Sequence, residues 1–331
     1  LEFADKLLAV NPAFAKANPH IVERTKKIKE LDRNYVAHEY FNGHWQPMPF
    51  SHINQWLQSA KLQWACSANY PDAVDAVNLT AAHQELLMGI PDPMFRQTVR
   101  DFCVNQQFRR DYWVKGARSI SALEQAEILR KQRVILVQPR AEVSMNVVGN
   151  LGEVSLQERV YGPILNQLAD HKPKTLGQLE LDLKSSADGH TINATQLLEA
   201  ILMLSGTGAL LPVQEESYIS KAKKHTERLN AVLMHKARSS GDISHLASPV
   251  TGGGFNVPRF HQLFLLAIAQ GRKQPQEWAK MVWDILNMQN QRLLKDGKLL
   301  ETAEENLTEL TTQAQTFAEK QLPIHKALQI A

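Results

Sequence analysis

The chain is 331 residues long, 44% hydrophobic and 21% charged, the composition of an ordinary soluble globular protein with room for two or three domains. A formal net charge of +3 supplies no strong electrostatic argument for nucleic acid or for any other polyanion. Cys66 and Cys103 are the only cysteines, which excludes a disulfide framework and suits a reducing, cytoplasmic compartment. No apolar run approaches the length of a membrane span, and no secretion signal opens the chain. The first residue is Leu1 rather than Met, so a further segment is expected upstream.

Leu1 to Val10 reads as the end of a helix, and Asn11-Pro12 and Asn18-Pro19 as turns. Ile21 to Leu31 carries Ile21, Ile28 and Leu31 among many charges, the pattern of an exposed or partner-facing helix. From Arg33 to Phe50 the chain is dense in His38, Glu39 and His44 and in the aromatics Tyr35, Tyr40, Phe41, Trp45 and Phe50. A zinc-binding HExxH helix puts two imidazoles on one face with a glutamate base between them. Here the spacing is HEYFNGH, and Gly43 interrupts the helix before His44, so the segment reads as an aromatic-rich turn. His52 to Leu62 predicts an amphipathic helix and LQWACSANY a strand that Pro71 ends. Leu79 to Ile90 predicts another helix, closed by Gly89, Pro91 and Pro93.

Arg96 to Arg118, RQTVRDFCVNQQFRRDYWVKGAR, is the stretch on which the first third of the chain converges. Thr98 to Phe108 has a helical apolar face at Val99, Phe102, Cys103 and Phe108, and DYWVK, stopped by Gly116, predicts a short strand. Arginines interleaved with aromatics can bind nucleic acid through phosphate contact and stacking. The near balance of signs favours another reading, in which Arg100, Asp101, Arg109, Arg110 and Asp111 form an ion-pair network that locks helix to strand.

NPAFAKANP, YVAHEYFNGHWQPMPF, AKLQWACSA and RDFCVNQQFRRDYWVKGAR, in that order over residues 11–118, resemble the bacterial family described as a predicted methyltransferase regulatory domain. In that family the module typically lies C-terminal to a domain that binds S-adenosylmethionine. It is similar to the C-terminal portion of bacterial lysine methyltransferases acting on outer-membrane proteins. The resemblance implies a regulatory or substrate-recognition region, non-catalytic by itself and without a cofactor of its own. S-adenosylmethionine would then sit in an associated methyltransferase domain, acting in cis or in trans.

A cofactor domain within the chain would need a strand ending in a glycine-rich loop ahead of a helix. GNLGE (149–153) sits between two short apolar runs and reads as a hairpin turn, and SGTGA (205–209) follows a helix, its first glycine reading as a C-cap. TGGGF (251–255) follows too short a run to be a strand. No doubly wound alternation of strands and helices is present. Ser121 to Arg130 predicts a helix, and RVILVQ (133–138), with 141–148, 153–156 and 111–114, predicts a small antiparallel sheet. Helices at Tyr161–Ala169, Leu176–Lys184 and Thr195–Leu204, the last capped by Thr195, then lead into the strand ALLPV, the layout of a winged helix. Its recognition element carries Glu199 and no Arg or Lys, which argues against base and phosphate readout and for a packing role.

Ile219 to Arg238 predicts a long helix with Lys221, Lys223, Lys224, Arg228, Lys236 and Arg238 against Glu227, either a solvated face or a seat for an acidic partner. Two apolar-periodic helices follow, and Thr302 to Lys320 carries a heptad-like stripe that is either core or a dimer seam. The reading is a mixed α/β, mostly helical chain without a Rossmann-type methyltransferase domain. Residues 1–118 form an aromatic-rich helical segment, 119–214 a small antiparallel sheet with a winged-helix-like unit, and 215–331 a helical bundle. Tyr35, His38, Glu39, Tyr40 and Trp45 are expected on a surface shared with a methyltransferase domain or a protein substrate. A homodimer is compatible, no membrane partner is expected, and the alternative is a winged-helix nucleic-acid-binding protein.

Overall fold

Proline and asparagine turns cut the first sixty residues into five short helices: α1 (Glu2–Ala9), α2 (Ala13–Ala17), α3 (Ile21–Glu30), α4 (Arg33–Tyr40) and α5 (Phe50–Ser59). Helix α4 starts where the Asp32 carboxylate accepts hydrogen bonds from the Asn34 and Tyr35 backbone N–H groups. The computed structural model describes residues 1–331 and divides into two units, 1–60 and 61–331. Few side chains of the first unit are buried, chiefly Ala15, Val36 and Phe50.

The second unit opens with strand β1 (Leu62–Ser67), a 3-10 turn (Tyr70–Ala73) and helices α6 (Asp75–Asn78), α7 (Ala81–Met88) and α8 (Pro93–Cys103), followed by strand β2 (Asp111–Lys115). Strand β2 pairs antiparallel with β1, Leu62 opposite Lys115 and Trp64 opposite Trp113, with an irregularity between Trp64 and Cys66. Helix α9 (Ala122–Lys131), capped by Ser121, leads into β3 (Arg133–Leu136) and then the hairpin β4 (Asn146–Gly149) and β5 (Gly152–Ser155). Next come α10 (Glu158–Leu168), β6 (Lys174–Thr175), α11 (Leu176–Ser185), α12 (Ala194–Gly206) and β7 (Leu210–Pro212). The remainder is α13 (Glu216–Lys236), the hairpin β8 (His245–Ser248) and β9 (Gly253–Asn256), and helices α14 (Arg259–Ala269) and α15 (Pro275–Met288). A short hairpin, β10 (Leu294–Lys295) and β11 (Lys298–Leu299), precedes α16 (Ala303–Thr316), a π-helical turn (Phe317–Gln321) and α17 (Leu322–Ala327).

Strand β3 is the wall between two cores. Val134 and Leu136 face a cluster with Ile164, Leu168, Leu179, Leu204 and Leu210, while Ile135 and Val137 face one with Phe264, Val282, Leu310 and Phe317. The period of two in an extended chain sends alternate residues to opposite faces, so RVILV serves both.

Three expectations about these elements are corrected. The predicted small sheet is instead dispersed: β2 joins β1, β4 and β5 pair only with each other, and β3 lies between β6 and β7. Because β3 is buried on both faces, it takes its main partner from the apolar run 210–212, and the turn Asn150-Leu151 closes β4–β5 locally. Nor is a wing formed, since β7 pairs backward with β3 and the chain then enters the 21-residue α13. The cap of α12 is Asn193 rather than Thr195, in a reciprocal capping box with Gln196.

Candidate functional site

Between the β1–β2 ribbon and helices α6 to α8 lies a cleft of about 360 Å³. Its apolar wall is Leu79, Leu87, Met88 and the Trp64 indole, and its polar wall carries Asp72, Asp75, Asp101, Arg96, Arg100 and Arg109. The 3-10 turn presents Asp72, whose carboxylate accepts from Ser67 Oγ and Asn69 Nδ2, both at 2.7 Å. This turn is pinned from beneath by the buried Asn78, which donates to the Pro71 and Val74 carbonyls. Asp75, at the start of α6, makes no side-chain hydrogen bond within the chain and faces the cleft free.

Helix α8 forms the opposite wall. Asp92 caps it, accepting from the Met94 and Phe95 N–H groups, with Pro93 at the first helical position. Arg96 donates from Nε and Nη2 to the Ile90 carbonyl, and Arg100 reaches across to the Asp72 carbonyl at 2.7 Å. Both guanidiniums are thereby fixed on neutral oxygens and keep their charge for the cleft.

Arg109 bridges helix to strand, with Nη1 2.6 Å from Asp101 and Nε and Nη2 each 2.9 Å from Asp111. Trp64 Nε1 also donates to Asp111 at 2.8 Å. Burial opposes the Arg109 charge, but the hydrogen bonds of Asp111 and the fields of both carboxylates outweigh it and raise its pKa. At Asp101 burial prevails over Arg109 and pushes the carboxyl pKa up. Of the five charged residues expected to pair, the structure brings together Asp101, Arg109 and Asp111. Arg100 is diverted to the backbone of the 3-10 turn, and Arg110 points to solvent.

Tyr35, His38, Glu39 and Tyr40 stand exposed on α4, and Trp45 is 60% exposed in the turn beyond it. They make an open aromatic and polar surface rather than a cleft, and His38, Glu39 and His44 join no cluster of three metal-ligating side chains. Asp72, Asp75 and Arg96 are the cleft residues that sequence reasoning missed. Their one signal was the SxNxxD run Ser67, Asn69 and Asp72, a side-chain-to-backbone turn pattern.

Residues 32–115 match the family described as the predicted methyltransferase regulatory domain. An uncharacterized protein of Synechocystis sp., sll1526, is 38% identical over 331 residues, all of this chain and 64% of the relative. Among solved structures, PKMT2 from Rickettsia typhi in complex with AdoHcy is similar with a TM-score of 0.56 at 13% identity, over 96% of this chain and 65% of that one. A second structure of PKMT2 from Rickettsia typhi gives 0.52 at 14% identity, over 90% and 63%. The chain thus spans a little under two-thirds of the length of the proteins it resembles.

These likenesses, together with the strand pairing, correct the sequence reading in four respects. A fold distinct from a methyltransferase fold is replaced, because nearly the whole chain, 96% of it, follows the course of PKMT2, mostly helical with small sheets. The expectation of a non-catalytic region with S-adenosylmethionine held only elsewhere is not kept beside this likeness, PKMT2 having been solved in complex with AdoHcy. The description as no enzyme in its own right falls on the same ground. The winged-helix nucleic-acid alternative fails as well, for want of a wing and of any cation on α12.

Proposed function

We propose that the chain belongs to an S-adenosylmethionine-dependent methyltransferase and takes part in methyl transfer itself, with the cleft between β1 and α8 seating the methyl donor. The observation that carries this reading is the composition of the cleft, which lies within the family-matched segment. It pairs free or doubly hydrogen-bonded carboxylates with fixed guanidiniums beside an apolar wall. Such a lining suits a zwitterion with an attached aromatic base.

The donor set fits S-adenosylmethionine or its product residue by residue. Asp75 would hold the α-ammonium, Arg96 and Arg100 the α-carboxylate, Asp72 the ribose hydroxyls, and Leu79, Leu87 and Met88 the adenine. When bound, the donor would supply a sulfonium methyl group: a nucleophilic acceptor would bond to the methyl carbon as its bond to sulfur breaks, with the neutral thioether as leaving group. The remaining steps belong to the protein: the apolar wall excludes water, and the carboxylates favour the positive sulfonium over the neutral product. Arg109 is a positioning residue, holding α8 against β2 so that Arg96, Arg100 and Asp101 keep their places. The acceptor would be a protein side chain, and the exposed aromatic and polar surface of Tyr35, His38, Glu39, Tyr40 and Trp45 is where such a protein would be recognised. The two free cysteines suit the cytoplasm as its compartment.

Ultraviolet cross-linking of methyl-labelled S-adenosylmethionine to the chain, followed by peptide mapping, tests the assignment. Label is expected on the peptides that carry Trp64 to Ser67 or Met88. Label confined to other peptides, or none above the level of denatured protein, overturns it.

A further inference from the structure

Helix α13 spans 21 residues, about 31 Å at 1.5 Å per residue. Its inner face is fixed: Ile219 and Met234 are buried, and the buried Asn230 amide donates to the Ala247 carbonyl at 2.8 Å and accepts from the Ala247 N–H at 2.7 Å. Its outer face carries Lys221, Lys224, Arg228 and Lys236, which recur at helical spacing, and none of them is within an ion pair. Of the two acids on the helix, Glu216 pairs with Arg133 at the first turn, and Glu227 lies off this face. Lys221 Nζ lies 5.8 Å from the Tyr218 ring centroid. Interleaved with these cations are Tyr218, 59% exposed, Leu229, 49%, and Val232, 65%.

We propose that this face of α13 docks on an anionic phospholipid surface, lying in the plane of the headgroups without crossing the bilayer. Cations without a carboxylate partner seek phosphates, and charge complementarity alone would allow a lipid headgroup or a nucleic acid backbone. The apolar side chains decide between them. Leu229 and Val232 gain by leaving water at an acyl boundary, as the apolar face of an interfacial helix does, whereas a phosphate backbone offers them nothing. The shape agrees, because a single convex helix face, held rigid by Asn230, matches a flat surface and provides no groove to clamp an extended peptide. No helix of the chain is long and apolar enough to cross a membrane, so contact is peripheral. This site is independent of the cleft between β1 and α8.

The test is co-sedimentation of the 331-residue chain with vesicles of phosphatidylcholine containing about one-third phosphatidylglycerol, against pure phosphatidylcholine and a duplex DNA. The anionic vesicles are expected to bind at low salt and to release the protein as salt rises. The double variant Lys221→Glu, Arg228→Glu should lower the affinity at least about tenfold. The double variant Leu229→Ser, Val232→Ser should lower it several-fold while leaving the salt dependence intact. Unchanged far-ultraviolet circular dichroism and melting temperature establish that both variants fold. Equal binding to neutral vesicles, loss with neither variant, or no binding at all overturns the proposal. So does tighter binding to the duplex that depends on the cations and not on Leu229 and Val232.

Discussion

Arg109 carries more of the local structure than any other side chain of the cleft, because one guanidinium serves two carboxylates on two elements. Arg109→Lys keeps the charge but has no fork for Asp111 and no reach to Asp101. It should cost about 2–3 kcal/mol of stability, less than a fully buried pair because the network retains some solvent exposure. Urea unfolding of both proteins checks this. The sequence reading put Arg109 with Asp101 and Asp111 but also Arg100 and Arg110 in one network; residues 109 and 111 of an extended segment share a face and 110 does not, so Arg110 is exposed. Asp72 and Asp75 were not legible, since an isolated aspartate beside a turn looks the same whether it caps a helix or faces a cavity.

A second residue gives the chain a dependence on pH. His325 is 2% exposed, and burial, reinforced by the neighbouring His261, lowers its pKa from 6.5 to about 4. The unfolded chain therefore takes up this proton first as pH falls below 6.5, and the folded chain resists until about 4. Stability contributed by neutral His325 is complete above that window and is lost through it, by about 3 kcal/mol in all. Its Nδ1 has no hydrogen-bond partner, and its ring packs 5.5 Å from Phe317 and 5.9 Å from Phe255. His325→Phe should thus cost little at neutral pH and flatten the fall in melting temperature between pH 6.5 and 4. A variant that melts with the same pH profile as the parent would remove His325 from this role.

At the scale of elements, the cleft is held open by close backbone approaches from outside it. Gly206, the last residue of α12, lies against the Pro71 ring, where a Cβ would overlap the ring, and a Cβ on Gly149 would run into the Val77 carbonyl. The 3-10 turn and α6, which carry Asp72 and Asp75, are thus seated on α12 and on the β4–β5 hairpin. Gly206→Ala should displace the turn, cost about 1–3 kcal/mol, and weaken ligand binding in the cleft although residue 206 does not line it. Calorimetric melting and AdoHcy titration of the variant measure the two effects separately.

Helices were the more legible elements, because capping residues and a 3.6-residue apolar period are local: Ser121 and Thr302 both start helices where expected, whereas the helix expected over Thr98 to Phe108 starts earlier, on the Asp92 cap, and ends at Cys103. Strand partners were not. β1 and β2 are separated by three helices, and nothing within QWAC or DYWVK distinguishes each other from RVIL as a neighbour. The winged-helix reading failed for the same reason, since the order helix, helix, strand leaves open whether β7 pairs forward into a wing or back onto β3.

On the scale of the whole molecule, a helical fold with dispersed small sheets supports one charged cleft and one basic helix face. Neither stands out in a net charge of +3, because the sum conceals their separation. The likeness to PKMT2 over 96% of the chain is one of fold. The family segment, residues 32–115, accounts for the elements that build it. On the proposed function, this cleft binds the donor and its product.

The most direct measurement is isothermal titration of AdoHcy into the chain and into Asp75→Asn, which removes one free carboxylate without breaking an internal hydrogen bond. The account predicts saturable binding to the parent, at least about tenfold weaker in the variant, as expected for a lost charge-assisted contact. Absence of binding to the folded parent, or equal affinity for both proteins, would contradict it.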